Sequence, residues 1–514
     1  MISAIDVLLL TVEPYDLGEA DTVPVYLATS DYRTGPTDTP ASVTFEGVVE
    51  GYACERQAFA PGAFGGPSLP GSGSVSIGIP QQWRDNGTLA ALLGYAWDGR
   101  AFTLERLAAG AAFADREVVA SGTVADLDQA GPSSLVLRFH DRAEDFRRPI
   151  QTSTYGGAGG TDGTAELKNR PRPLVFGRVD NAPAIMVDPA NLVLDIHDGP
   201  IEAILAVRDN GVALSSSGSN PPPSGSYFAD LSVGRIVLGD SPVGAVTVDV
   251  KGAAPGGAWA DDLADVVRLI VTDYAGLADP AELDTAAFTA LAADRAGVVG
   301  YATGTSSVTI AQILDALIAG AGGYWVFTRA GLFSLGVFKA PTATASTDAV
   351  VRAVITDYRI AEGSLGRRRL GIPPSEIRAQ YRILGQVQAA DELADSVTAA
   401  DRLTWSTPNL VALPTDAALM SAIAAAHLRA QPLEVATWCY EEADAEAIAD
   451  DLLPLLADLA AWSCETDVGF GVLAIGDEVW LAHPDYGISA GVAARVAGYA
   501  ERQAGVTQLE VLTA

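Results

Sequence analysis

The sequence predicts an α+β protein that is mainly β. Three observations carry that expectation. Short segments rich in Val, Ile, Thr and aromatic residues recur between turn signals along most of the chain. Only a central zone from Trp259 and two Ala-rich runs nearer the C-terminus switch to helical spacing. Gly 52 and Pro 29 supply turns without low complexity.

At 514 residues the chain exceeds one core and should divide into roughly three or four domains. Hydrophobic residues at 49% supply full cores and argue against global disorder. Residues 1–150 read as an N-terminal barrel-like or sandwich-like β domain. Strands are expected at residues 23–29, 43–49, 74–79, 101–106 and 135–139, with a helical turn or two at 87–93. Asp98-Gly99-Arg100 is a hairpin signal.

Residues 151–257 read as a β-rich connector and hairpin domain. It opens on the glycine-rich run YGGAGGTDG at 155–163, read as a flexible connector because Asp162 stands where a dinucleotide fingerprint needs Gly. Residues 164–201 then form a Pro-punctuated joint with Lys168, Arg170 and Arg172, strand pieces at 174–177, 184–187 and 192–194, and the turn Asp198-Gly199-Pro200. Asn210-Gly211 marks a hairpin, and the Ser/Pro run 215–226 reads as a loop tip unable to pack.

Residues 258–345 read as a small α+β domain. Leu263, Val266, Val267 and Ile270 set a helix ending near Tyr274, and further helices are expected at 285–295 and 309–318. Gly320, Gly322 and Gly323 stop the last one before the aromatic hairpin YWVFTRAGLFSLG at 324–336. Residues 346–514 read as a C-terminal α+β domain: strands at 353–355 and 376–384, helices at 413–431 and 441–462, and final strands at 478–481, 492–499 and 507–512. Pro454 should kink or break the second helix. Arg367, Arg368 and Arg369 mark a junction.

Charge narrows the function. Lys+Arg 32 against Asp+Glu 64 gives a net charge of −32, which repels phosphate and argues against tight nucleic-acid binding. It fits solubility in a crowded medium, or a surface that nucleic acid passes without sticking. Cys54, Cys439 and Cys464 show neither metal nor disulfide spacing and read as buried thiols of a reducing cytoplasm. The start lacks a basic n-region and no run of 18 apolar residues follows, so a soluble chain made without a signal peptide is expected.

Chemistry leaves few traces. His140, His197, His427 and His483 stand in no ligand motif, and His197 reads as a hydrogen-bonded residue at a strand end. SxxK is missing, and the single GxSxG spelling, Gly487-Ile488-Ser489-Ala490-Gly491, gives no catalytic reading. The acidic pairs 261/262, 441/442 and 450/451 fall on expected helix faces or N-termini, where they offset the macrodipole. No catalytic residue, cofactor or metal site is expected. In so acidic a chain, Lys168, Arg170 and Arg172 read as contacts to acidic surfaces of an adjoining subunit, and Arg367, Arg368 and Arg369 as contacts to acids of a neighbouring domain or subunit.

Several ordered pieces resemble the tail hub (baseplate hub) proteins of tailed phages and gene transfer agents. They are LVLRFHDRAEDFRRPIQTSTYGGAGGTDG from Leu135, LKNRPRPLVFGRVDNAPAIMVDP, IHDGPIEAILAVRDNGVAL, the helix and aromatic hairpin from Ile310 to Gly336, GQVQ from Gly385 with LADSVTAAD from Leu393, and the ending LAIGDEVWLAHPDYGISAGVAARVAGY with TQLEVLTA. The resemblance runs from about residue 135 onward and is looser before it. It implies tail-tube-like β-barrel domains with an inserted helix-plus-hairpin unit, the first barrel from residues 1–150 and the second completed by residues 346–514. It also implies a non-enzymatic virion protein of the tail baseplate or tip, assembled in the host cytoplasm without membrane insertion. As a homotrimer it would join the tail tube and distal tail protein, the tape measure protein C-terminus and the tail fibre or tip proteins, and let DNA pass. The alternative is a receptor- or glycan-binding tail-tip module, with Trp83, Trp97, Trp325 and Trp405 as candidate platforms; a cell-wall hydrolase is the third reading.

Overall fold

The computed structural model describes residues 6–60, 64–468, 471–502 and 507–514. The chain is α+β and mainly β, as the sequence predicts. Its N-terminal part holds β1 (Val7–Val12), β2 (Val25–Ala28), β3 (Thr44–Gly47), β4 (Val49–Gln57) and β5 (Ser72–Gly78). Two short helices follow, α1 (Gln81–Asp85) and α2 (Thr88–Gly94), then β6 (Ala101–Leu107), β7 (Glu117–Gly131) and β8 (Ser134–His140). The strands pair in the order β4-β5-β8-β7-β6-β1-β2-β3 around a core that includes Leu10, Val75, Leu104, Leu137 and Phe139.

This sheet does not close into the hydrogen-bonded barrel that was expected. β3, which pairs β2 and the short terminal strand Tyr32–Arg33, and β4, which pairs β5, lie on one chain segment with only Val48 between them. The Val48 N–H bonds back to the Glu46 carbonyl at 2.9 Å, so the chain bends there. The ring is completed covalently, by that bend, where a barrel would have a ladder. Asp98-Gly99 is a turn leading from α2 into β6, not the predicted hairpin.

The middle of the chain contributes β9 (Val175–Pro183), β10 (Val193–Asp195), β11 (Ile201–Asp209), β12 (Ser226–Asp230), β13 (Arg235–Leu238) and β14 (Val246–Ala253). β14 lies between β9 and β11, and Asn210-Gly211 turns the expected hairpin. Part of the Ser/Pro loop departs from expectation, because residues 215–217 pair in parallel with β12. The glycine-rich run is a tied turn: the Asp162 carboxylate accepts from the Gly156 and Ala158 N–H groups, and Tyr155 is buried.

The helical zone forms α3 (Leu263–Leu269), α4 (Thr285–Asp294), the short β15 (Gly300–Ala302) and α5 (Ile310–Gly320). Asp262, Asp284 and Thr309 cap the three helices through their side chains. The aromatic hairpin follows as β16 (Gly323–Phe327) and β17 (Phe333–Val337), and Phe146, Trp325, Phe327 and Phe333 stack in its core.

The C-terminal part holds β18 (Val351–Ile355), β19 (Gly366–Arg369), β20 (Ile377–Tyr381), α6 (Ala399–Ser406), α7 (Ala417–Ala426), β21 (Leu433–Ala436) and α8 (Glu442–Ala457). It ends with β22 (Ala460–Thr466), β23 (Glu478–His483), β24 (Ile488–Arg502) and β25 (Thr507–Thr513). α8 runs through Pro454 and stops one turn later, because Trp462 belongs to β22 and not to the expected helix. A second sheet unit, β18-β23-β24-β25-β22-β19, surrounds Ile355, Trp462, Val479, Val496 and Val511. Its edge strands β18 and β19 are again consecutive in the chain, with Ile360 bridging to Thr466 between them.

The two units share more than their outline. β4-β5-β8-β7-β6 and β19-β22-β25-β24-β23 have the same chain order and the same antiparallel pairing throughout. Thr123 opposes Ala101 and His140, as Arg495 opposes Glu478 and Leu512. Both long strands then carry a register shift at the same step, between Val124 and Asp126 and between Val496 and Gly498. Phe139 opposes Gly73 and Gly73 opposes Cys54; Val511 opposes Trp462 and Trp462 opposes Arg367. Around these positions the five strands correspond in register.

Candidate assembly surface

The two units meet edge to edge. The second half of β24 pairs antiparallel with β4, with Gly498 opposite Gln57, Tyr499 opposite Arg56, Ala500 opposite Glu55, Glu501 opposite Cys54 and Arg502 opposite Ala53. One sheet therefore runs unbroken through both units.

This seam is charged and buried. Arg56 is 4% exposed and donates to the Cys54 Sγ at 3.1 Å. Burial pushes the Cys54 thiol up, opposed by the neighbouring Arg56 cation, so it stays a protonated thiol. From the turn between β16 and β17, Arg329 reaches Glu501 at 2.7 Å, donates to the Leu473 carbonyl at 2.7 Å and lies 4.4 Å over the Tyr499 ring. The same residue's carbonyl accepts from the Ser121 hydroxyl of β7 at 3.2 Å. The hairpin tip thus touches both sheet units at once.

Two edges remain open among the described residues. Beyond Thr123, the β6 side of β7 carries no strand. In the second unit, β19 is bonded only to β22. Residues 126–130 of β7 correspond to the stretch of β24 that pairs with β4, and β19 corresponds to β4 itself. The β7 edge presents Asp126 and the exposed Asp128, both paired with Arg138 on the adjoining strand. The β19 edge presents three exposed arginines.

The basic residues singled out in the sequence fall in two places. Arg172 is held inside the chain by Asp195 at 2.8 Å and lies 4.4 Å over the Tyr155 ring, while Lys168 and Arg170 are exposed beside it. Arg367, Arg368 and Arg369 form β19, which sequence reasoning treated as a junction and not as a strand. Arg367 lies 5.5 Å over Trp462, Arg369 is 3.4 Å from Asp458, and Arg368 has no ion-pair partner among the described residues. Arg368 to Ile372 also line an open groove with Phe64, Arg429 and Leu459.

Other candidates fall to packing. Trp83, Trp97, Trp325 and Trp405, offered as glycan platforms, are all buried, and the indole N–H groups of the first three bond to Glu46, the Leu92 carbonyl and Asp315. His197 is 2% exposed, accepts from the Val175 N–H at 3.0 Å and is pushed down to about 4 by burial. The acidic edge at Asp126 and Asp128 was missed in the sequence. The one signal was the shared Val-Ala at 124–125 and 496–497.

No family model and no curated protein matches the chain. Among solved structures, a tail protein from Neisseria meningitidis MC58 matches at 10% identity and TM-score 0.38, over 92% of this chain and 94% of that one. The 43 kDa tail protein of prophage MuSo2 from Shewanella oneidensis matches at 10% identity and TM-score 0.39, over 99% and 98%. A chain from the virion of a native gene transfer agent particle matches at 18% identity and TM-score 0.41, over 68% and 85%. At these values the likeness fixes no residue's role. It makes the chain similar, along most of its length, to phage tail and gene transfer agent proteins.

Proposed function

We propose that this protein is a structural hub of a phage-type tail tip, a homotrimer in which two sheet units per chain make six around a central passage. One observation carries the reading: two register-matched units lie in a single chain and are joined through unlike edges. Such a head-to-tail contact is heterologous, and a repeated heterologous contact closes as a ring or runs on as a filament. Three chains with two units each would present six-fold positions to a tail tube and three-fold positions to a tip.

In this role the distal tail protein, the tape measure protein C-terminus and the fibre or tip proteins are the neighbours, and the net charge of −32 keeps passing DNA from adhering. The arrangement is non-enzymatic. Mass photometry of the purified protein tests the reading: the expected species has three times the 53.1 kDa chain mass. Monomers, or a ring of six chains, would overturn it.

A further inference from the structure

We infer that two copies of this chain join by edge-to-edge β pairing, residues 126–130 of one copy lying antiparallel to β19 of the next. The inference rests on the ring reading and names the surface that closes it. The intramolecular seam between β24 and β4 is the template. Every strand around it has a register-matched counterpart, and the counterparts of its two sides are the two open edges.

The template fixes the register. Gly498 opposite Gln57 becomes Asp126 opposite Leu370 of the second copy, and Tyr499 opposite Arg56 becomes Leu127 opposite Arg369. Ala500 opposite Glu55 becomes Asp128 opposite Arg368, and Arg502 opposite Ala53 becomes Ala130 opposite Gly366. The charges agree with this placement. Asp126 and Asp128 share the single Arg138, which leaves one carboxylate charge uncompensated on that face. Arg368, an exposed arginine of β19 with no ion-pair partner among the described residues, comes directly opposite Asp128. Cross-strand pairs of opposite charge favour a register and like charges oppose it.

The backbone agrees as well. In the template, the Ala58 N–H donates to the Ala497 carbonyl at 2.9 Å, so residues 497, 499 and 501 turn their polar groups toward β4. Their counterparts Ala125, Leu127 and Gln129 therefore turn theirs off the open edge of β7. An unpaired row of this kind is a template for another strand, and three arginines and two aspartates limit which strand can use it.

Three variants and a crosslink test the pairing, all in the full-length chain. By mass photometry over a dilution series, Asp128→Arg and Arg368→Asp should each raise the trimer dissociation constant at least tenfold, and the two together should restore it. Gln129→Pro removes an N–H that points off the sheet and should have the same effect as either reversal while circular dichroism stays unchanged. Asp128→Cys with Arg368→Cys in one chain should give disulfide-linked dimers and trimers on oxidation, since directly opposed residues hold their Cβ atoms within about 4.5–5.5 Å. A control with Asp128→Cys and Gly366→Cys should crosslink poorly. A wild-type trimer that persists in all three variants and forms no register-specific crosslink overturns the edge pairing alone. A wild-type monomer overturns the ring reading beneath it.

Discussion

Arg329 and Glu501 form a two-point ion pair, with Nη2 2.7 Å from Oε1 and Nε 3.3 Å from Oε2, at the line where the two sheet units meet. Both side chains are largely buried, at 15% and 5% exposure. A carboxylate placed there without its guanidinium would be an unpaired buried charge. Truncating one partner of such a pair costs about 3–5 kcal/mol, whereas replacing both by apolar groups is often close to neutral. Arg329→Met should therefore lower the urea midpoint strongly, and Arg329→Met with Glu501→Leu should recover most of the loss. Equal losses in the single and double variants would show that the pair adds no coupling across the seam.

Two buried groups give opposite pH signatures in overlapping windows. Burial pushes Asp141 up to about 6, opposed by the Arg56 cation and by backbone hydrogen bonds from Gly71 and Ala143. Between its unfolded value near 4 and about 6, the folded chain holds a proton that the unfolded chain has released, so stability falls as pH rises through that window. His197 runs the other way. Its folded value of about 4 lies below the unfolded value of about 6.5, so stability is lost as pH falls from 6.5 toward 4. Each term is about 3 kcal/mol across its window, and they largely cancel in the wild type. Asp141→Asn should expose a steep loss of stability on acidification, and His197→Gln should remove that slope. Denaturant midpoints between pH 4 and 8 for the two variants check the sign of each.

Much of the fold was legible where one face is buried and the other wet. The hairpin at Asn210-Gly211, the helix set by Leu263, Val266, Val267 and Ile270, and the terminal strand at Leu509 and Val511 all announce themselves by spacing. β7 did not, because Gly122, two aspartates and several alanines hide its alternation, and its register shift after Val124 moves the buried side. β19 was hidden differently: three consecutive arginines carry no β signal, and the strand exists because β22 offers it a ladder. The two open edges lie on these two strands. The correspondence between the units is held in pairing registers, which depend on which strands are neighbours, while the side chains have diverged to Arg367 where Cys54 stands and Asp126 where Gly498 stands.

Gly177 tests the close approach of β9 to its neighbours. It has φ +61, and a Cβ there would sit 1.9 Å from the Val299 carbonyl oxygen. An L side chain meets both an unfavourable backbone conformation and a backbone clash with no flexible group to yield. Gly177→Ala should cost at least about 1–3 kcal/mol and lower the thermal midpoint. An unchanged midpoint would mean that β15 can shift away without loss.

Asp180 decides whether residues 164–201 act as a joint to the C-terminal part. Its carboxylate is 3% exposed and accepts from Arg382 Nε at 2.7 Å and from the Tyr440 hydroxyl at 3.1 Å. Next to it, Asn181 donates to the Gln386 carbonyl at 2.6 Å, and the Gly385 N–H donates to the Asp180 carbonyl at 3.0 Å. One side chain of β9 therefore fixes groups on two segments more than 200 residues further along the chain, counted as 202 to Arg382 and 260 to Tyr440. Asp180→Ala strands a half-buried guanidinium and a buried hydroxyl, a loss of about 2–4 kcal/mol by the usual cost of orphaned polar partners. Hydrogen exchange should then speed up at residues 377–388 and 436–440 while the seam at residues 53–57 keeps its protection. Uniform loss of protection across both regions would mean that the joint and the seam open as one unit.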